Sequence, residues 1–210
     1  MHLAVKHASK SYPPNLPESM TGLLPWFEPI IASGSVLTKA PENSQIVMMI
    51  LNGLQPTGVT TIALDRNNLA SVLGSIAGVT PLLTVQSLDT TNFVNLCTII
   101  SAIGNAPPAT PILRVRLTSD DGTKSEQEVI QGTLVMIKLP PGQDGTLHLT
   151  PLHRFDVGMG GPGRGGTVKV IGGVLGVVID ARGRPLRMPA EPSRRRNLLT
   201  SWLTSISQKK

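Results

Sequence analysis

The stretch EPIIASGSVLTKAPENSQIVMMILNGLQPTGVTTIALD, Glu28 to Asp65, decides how the first half of this chain is read. Its opening run, EPIIASGSVL, reads as a short strand ending in a small-residue turn at Ser33, Gly34 and Ser35. The segment from Pro41 to Pro56 reads as a helix. Pro41 and Glu42 suit a first turn, Ile46, Met49 and Ile50 recur at helical spacing, and Pro56 closes it. VTTIALD, Val59 to Asp65, is rich in β-branched residues and reads as a strand. Strand, turn, helix, strand is the grammar of an α/β layer.

Downstream, Asp65 or Asn67 can cap a helix in NNLASVLGSIAG, whose Leu69, Val72, Leu73 and Ile76 share a face and which Gly78 ends. PLLTVQSL, Pro81 to Leu88, reads as a further strand. Upstream, residues 1–25 are polar and proline-rich and read as a flexible lead-in. They contain no apolar run suited to a signal peptide, and no stretch of the chain approaches the ~18 apolar residues of a membrane helix, so cytoplasm is the expected location.

From about residue 93 the pattern turns to β. FVNLCTIISAIG is strand-like. Leu113, Val115 and Leu117 alternate with Arg114 and Arg116 and lead into an Asp121-Gly122 hairpin turn. Two more strands surround the Pro-Pro-Gly turn at 140–142. IGGVLGVVID reads as a bent, buried strand pair, because glycines inside an apolar run mark bends or close backbone packing. PSRRRNLLTSWLTSI reads as a C-terminal helix capped by Ser193, with Leu198, Leu199, Trp202, Leu203 and Ile206 on one face. The expected fold is α+β: a lead-in at 1–25, a partial α/β layer at 26–92, and a small β barrel or sandwich with a terminal helix at 93–210.

The chemistry-bearing candidates are few. Ten glycines fall among the 26 residues from Gly158 to Gly183. Gly158, Gly160 and Gly163 satisfy GxGxxG, but the strand-like TVKV follows where a dinucleotide loop needs a helix, and no lysine completes a phosphate loop. The bland reading, a glycine-rich connection between strands, is favoured. The alternative is an anion-binding nest at Gly161, Gly163, Arg164 and Gly165. Cys97, the single cysteine, sits in an apolar run and reads as a buried thiol. His148, His153 and Asp156 lie close in sequence, but an unbent strand puts the two histidines on opposite faces, which disfavours a metal. Asp65 and Asp89 each follow an expected strand, where open sheets gather ligands, yet neither has a visible nucleophile or base partner. The Ser33-Gly34-Ser35 turn reads as an ordinary strand-to-helix turn, with a contact to flat adenine or ribose as the sharper alternative.

Charge is uneven. Residues 1–150 carry 8 basic and 10 acidic side chains, and residues 151–210 carry 11 and 3. The basic end raises nucleic acid or an acidic partner. Arg194 to Arg196 read first as a solvated helix face, and Arg182 and Arg184 as turn and surface residues that pair with Asp180 or Asp156 or form a basic rim. With three Phe, two Trp and one Tyr, the chain lacks an aromatic platform for single strands.

PIIASGSVL, ILNGLQPTGVTTIALD, NLASVLGSIAG and PLLTVQSLD, with RFDVGMGGPGRGG and GGVLGVVIDARGRPLRMP further on, resemble the C-terminal part of MutL-type proteins. These are accessory proteins of glutamate (methylaspartate) mutase, relatives of the actin-like ATPases, and the resemblance spans residues 26–207. It implies a ribonuclease-H-like layer and a glycine pair that touches adenosine, falling on Ser33 and Gly34 or on Gly34 and Ser35. The chain departs from a double glycine there. The N-terminal ATPase lobe has no counterpart in its first 25 residues, so the expectation is a fragment or truncated relative with at most weak ATP or ADP binding and no hydrolysis alone. Three functions follow: a non-catalytic accessory or protein-interaction module; a nucleotide-dependent reactivating chaperone of a cobalamin-dependent mutase that needs a second chain; and nucleic-acid binding through the basic C-terminal region, which is disfavoured. A protein partner or homo-oligomer is expected, because a partial layer leaves an open edge.

Overall fold

A computed structural model describes residues 23, 26–88 and 92–207. Among the described residues, two open sheets and five helices make the fold. The five-stranded sheet has the order β1-β2-β3-β9-β6, and the four-stranded sheet the order β5-β4-β7-β8. The strands are β1 Ile30–Ala32, β2 Gly58–Asp65, β3 Phe93–Ser101, β4 Pro111–Ser119, β5 Lys124–Ile130, β6 Leu134–Ile137, β7 Asp144–Pro151, β8 Gly166–Ile171 and β9 Val177–Asp180. The helices are α1 Ser35–Thr38, α2 Asn43–Gly53, α3 Ala70–Ile76, α4 Pro81–Leu88 and α5 Pro192–Ile206. Neither sheet closes into a barrel. They face each other, so the mixed α+β architecture has three layers: helices, five-stranded sheet, four-stranded sheet.

The period of two along the strands builds the layers. Ile100, Val177 and Ile179 of the larger sheet meet Leu113, Val115, Leu117, Leu147 and Leu149 of the smaller one in a single buried cluster. The opposite face of the larger sheet, with Ile62, Cys97, Ile99 and Val178, packs on Ile46, Val47, Ile50 and Leu51 of α2 and on Trp202 and Ile206 of α5. Each such side chain taken from water contributes about 1.5–3 kcal/mol. Leu198, Leu199 and Leu203 lie partly buried against the same cluster, so the face expected of α5 is the one it uses. The β4–β5 hairpin also forms as read, with Arg114 opposite Glu128 and Arg116 opposite Glu126 on its exposed face.

The structure differs from the sequence reading at several points. PLLTVQSL is helix α4 and not a strand. Pro81 opens it, and Thr80 accepts hydrogen bonds from both the amide and the hydroxyl of Thr84. The shared apolar face expected of α3 buries only Leu73, and Val72 is exposed. The expected boundary at 92/93 falls inside one sheet, because β2 pairs antiparallel with β3 through eight registered pairs, Gly58–Ser101 to Asp65–Phe93. Ser193 is not the cap of α5. Glu191 holds that position, and the Ser193 hydroxyl bonds to its carboxylate.

The strands around the Pro-Pro-Gly turn do not pair with each other, nor do those flanking Gly172 to Gly176. Both connections instead carry the chain from one sheet to the other: β6 to β7, and β8 to β9. They cross back to back, with Gly142 N donating to Gly172 O at 2.9 Å and Gly172 N to Gln143 O at 2.8 Å. A Cβ on Gly172 would stand 1.9 Å from Pro140 O, and one on Gly173 would stand 2.6 Å from the Leu96 carbonyl. Close backbone approach is therefore what these glycines serve. Among the described residues no helix is long and apolar enough to cross a membrane.

Candidate functional site

The ends of β1 and β2 make the best candidate. The two strands are parallel, with Ala32 opposite Leu64, so the residues that leave them, Ser33 and Asp65, come together. Ser33 Oγ lies 3.1 Å from Asp65 Oδ2 and 3.0 Å from Asn68 Oδ1, and its single hydrogen can serve one of them at a time. Gly34 N donates to Asn68 Oδ1 at 2.7 Å. Gly34 has φ of 100°, a conformation that side chains rarely adopt, and among the described residues no heavy atom beyond its own chain neighbours lies within 4 Å of where its Cβ would stand. Conformation, not crowding, demands glycine here, and the space above the backbone is open.

A cleft of about 780 Å³ runs beside this turn, walled by Ser33 to Leu37 and by Met49, Asn52 and Gly53 of α2. Asn52 enters it with one end already committed. Arg182 Nη1 donates to Asn52 Oδ1 at 2.8 Å, and a guanidinium has only donors, so the carboxamide oxygen faces the arginine. The whole turn expected from sequence, Ser33, Gly34 and Ser35, thus lines one cleft. Asn52, Met49 and Asn68 were not foreseen. Asn68 follows Asp65-Arg66-Asn67, a polar cluster of the kind that leaves a strand, and that was its only signal.

Asp65 is fully buried at the floor of the turn. Burial pushes its carboxyl up, but hydrogen bonds from the Ala70 and Leu69 amides and from Ser33 outweigh this and hold it below the usual carboxylate range. Oδ1 takes Leu69 N at 2.9 Å and Oδ2 takes Ala70 N at 2.8 Å. Neither of the two residues expected to cap this helix, Asp65 or Asn67, holds the cap position: Leu69 does, and Asp65 accepts the Leu69 and Ala70 amides from further back in the chain. With both oxygens so engaged, the carboxylate is a structural acceptor and not a free base. Asp89 lies outside the described residues.

The glycine-rich loop is put together differently from a nest. Gly163 N donates to Phe155 O at 2.8 Å and Arg164 N to Gly161 O at 3.1 Å, so two of the four amides such a nest would aim outward turn inward. Gly165 lies against β7, where a Cβ would come 2.4 Å from Leu149 O. The four residues, Gly161, Gly163, Arg164 and Gly165, are held as a connection between strands. His148 Nδ1 meets Thr167 Oγ1 at 3.0 Å across the β7–β8 ladder. Among the described residues no three His, Cys, Asp or Glu side chains gather as metal ligands. Cys97 is buried, which pushes its thiol well above the ordinary range.

Arg182 and Arg184 are not surface residues and form no basic rim. Both are buried against Asp180, also fully buried at the end of β9. Arg182 reaches it with Nε at 3.0 Å and Nη2 at 2.7 Å, and Arg184 with Nη2 at 2.5 Å. Arg184 Nε also donates to Pro56 O at 3.2 Å, and the Arg182 guanidinium lies 4.8 Å over the Trp202 ring. Arg194 to Arg196 are exposed on the first turns of α5, and Arg154, Arg164, Lys169 and Arg187 are exposed elsewhere in the C-terminal part. Comparison of the chain with protein-family models, with curated proteins and with solved structures gives no match.

Proposed function

We propose that this chain is a non-catalytic accessory or protein-interaction module whose Ser33-Gly34-Ser35 turn contacts the adenosine part of a nucleotide. The observation that carries the reading is the position of Gly34. It sits past the carboxyl end of one of two adjacent parallel strands, where ligands of open sheets collect, with clear space above its backbone and a cleft beside it. The parallel β1–α2–β2 unit beside antiparallel β3 supports a ribonuclease-H-like layer, and with it the resemblance to the mutase-accessory, actin-like ATPases. Asp65 supports the non-catalytic part, because its oxygens are taken by backbone amides and Ser33.

The α3–α4 hairpin supports the interaction part. Val72, Val79, Leu82, Leu83 and Val85 are all more than half exposed, and no charged residue occurs between Asn67 and Leu88. Soluble surfaces rarely leave such a patch uncovered, so a protein partner is inferred, a cobalamin-dependent mutase being the one that the resemblance implies.

Saturation-transfer NMR of the full chain with adenosine, ADP and ATP, each with and without magnesium, tests the site. Transfer to the adenine and ribose protons, lost in Gly34→Val, is expected, with no phosphate release above a protein-free control. Silence from all three ligands removes the adenosine reading. Release that Gly34→Val abolishes removes the non-catalytic one.

A further inference from the structure

The larger sheet has five strands and the smaller one four, and the difference leaves part of β2 uncovered. Burial alternates along β2. Ile62 and Leu64 are buried in the cluster under the helices, whereas Val59, Thr61 and Ala63, on the other face, are only half-buried. The smaller sheet stops at β8, and a cleft of about 450 Å³ lies between β8 and this face of β2. Four consecutive residues of β8, Val168 to Ile171, line it, so the cleft follows the strand's edge and not one of its faces.

The hydrogen-bond pattern fixes which backbone groups that edge presents. Gly172 N donates to Gln143 O at 2.8 Å and Gly172 O accepts Gly142 N at 2.9 Å, so Gly172 turns its backbone toward the β7 side. In an antiparallel ladder the direction alternates, so Val168 and Val170 also bond to β7, and Thr167, Lys169 and Ile171 point outward. Asn95 Nδ2 donates to Ile171 O at 3.3 Å, as that phase requires, and closes the edge at its far end. Among the described residues no hydrogen bond reaches the backbone groups of Thr167 and Lys169. Such a row of unpaired amides and carbonyls is a template for another strand.

Charge selects the strand. Lys169 is exposed, with Thr146 opposite it on β7 and no salt bridge among the described residues. Arg164 is exposed just before the strand. A second copy's β8, paired antiparallel in full overlap, would set Lys169 against its own counterpart, which disfavours self-pairing. The far wall is mixed. Trp26, Val59 and Met159 are apolar, Thr61 and Thr98 add hydroxyls, and Glu28 Oε2 accepts Thr61 N at 2.6 Å. An inward-facing residue there is best uncharged.

We infer that the free edge of β8 receives an extended peptide of a partner protein as a fifth strand of the smaller sheet, lying over β2. Its residues opposite Thr167 and Lys169 are acidic and face outward. The residues that alternate with them are apolar and face Val59, Trp26 and Met159. Main-chain pairing supplies the affinity, and the alternating side chains supply the selectivity. This edge shares no residue with the Gly34 turn or with the α3–α4 hairpin.

The test is titration of the full ¹⁵N-labelled chain with the peptides Ac-VEVEV-NH2 and Ac-VKVKV-NH2, followed by amide hydrogen exchange. In the free chain the Val168 and Val170 amides should exchange slowly and those of Thr167 and Lys169 fast. The acidic peptide should slow Thr167 and Lys169, and N-methylation of its glutamates, whose amides would face β8, should abolish this. Lys169→Glu, a change at an exposed side chain, should weaken the acidic peptide about fivefold and favour the lysine peptide. No protection of Thr167 and Lys169 at millimolar peptide, undiminished binding of the methylated peptide, or equal affinity for the two charge types would overturn the inference. Protection that grows with protein concentration in the absence of peptide would overturn it in favour of a second copy.

Discussion

Asp65 and Asp180 end two strands of the same sheet, both fully buried, and the chain stabilises their charge in opposite ways. β2 runs antiparallel to β3 and β3 parallel to β9, so the two carboxylates stand at opposite ends of the sheet. Asp65 is held by its neighbours in sequence, the amides of Leu69 and Ala70, with Ser33 from the turn after β1. Asp180 is held by full charges. Burial pushes its carboxyl up, but Arg184 and Arg182 overcome this and bring it down to about 2. Those arginines then reach Asn52 of α2, Pro56 O and the Trp202 ring of α5. The difference teaches what each end is for. Amide capping shapes a local turn and leaves the cleft beside it open. The ion cluster ties three distant segments together and closes its end to water.

Removing Asp180 is the strongest way to break this contrast. Asp180→Ala leaves two buried guanidinium groups uncompensated, and a loss of about 3–5 kcal/mol is expected in urea unfolding. A loss below that of Asp65→Ala would remove the distinction between the two ends. Acid comes next. A carboxyl whose folded value lies below its unfolded one adds stability that is complete above the unfolded value and disappears as pH falls through the folded one. Both aspartates act in this direction. For Asp180, with about 2 against an ordinary 3.8, the window runs from about pH 4 to pH 2, and roughly 2 kcal/mol should be lost across it. Asp180→Asn should flatten this part of the pH profile, and an unchanged acid limb would contradict the assignment.

Asp65→Ala should cost about 1–2 kcal/mol, because the amides of Leu69 and Ala70 lose a charged acceptor, with hydrogen exchange rising first in α3. Ser33→Ala is expected to cost less than about 1 kcal/mol, because one hydroxyl bond is removed near solvent. Its value is in sharpening the site: adenosine contact should weaken while the unfolding midpoint barely moves. The smallest effect belongs to Glu126→Gln on the hairpin face, where Arg114 and Arg116 share an exposed carboxylate and thermal unfolding should not change measurably.

Much of the Asp65 end was legible in the sequence. A β-branched run ending in Asp, a small-residue turn with glycine, and apolar residues at helical spacing are local signals, and local backbone geometry follows from them, although the helix starts at Asn43 and leaves Pro41 and Glu42 outside its first turn. The Asp180 end was misread for the complementary reason. DARGRP has the composition of an exposed turn, and nothing in the spacing of Arg182 and Arg184 says that α2 and α5 will cover them. PLLTVQSL failed similarly: an apolar octapeptide suits strand or helix, and what decides is whether a sheet edge is there to receive it. Thus β1, α2, β2, the β4–β5 hairpin and α5 were determined by period and turn residues, which act over a few positions. Which strands pair, where the chain changes sheets, and which charges are taken from water were decided only by the tertiary structure. Those outcomes depend on segments more than a hundred residues apart, such as Asn52 and Arg182, meeting across the same core.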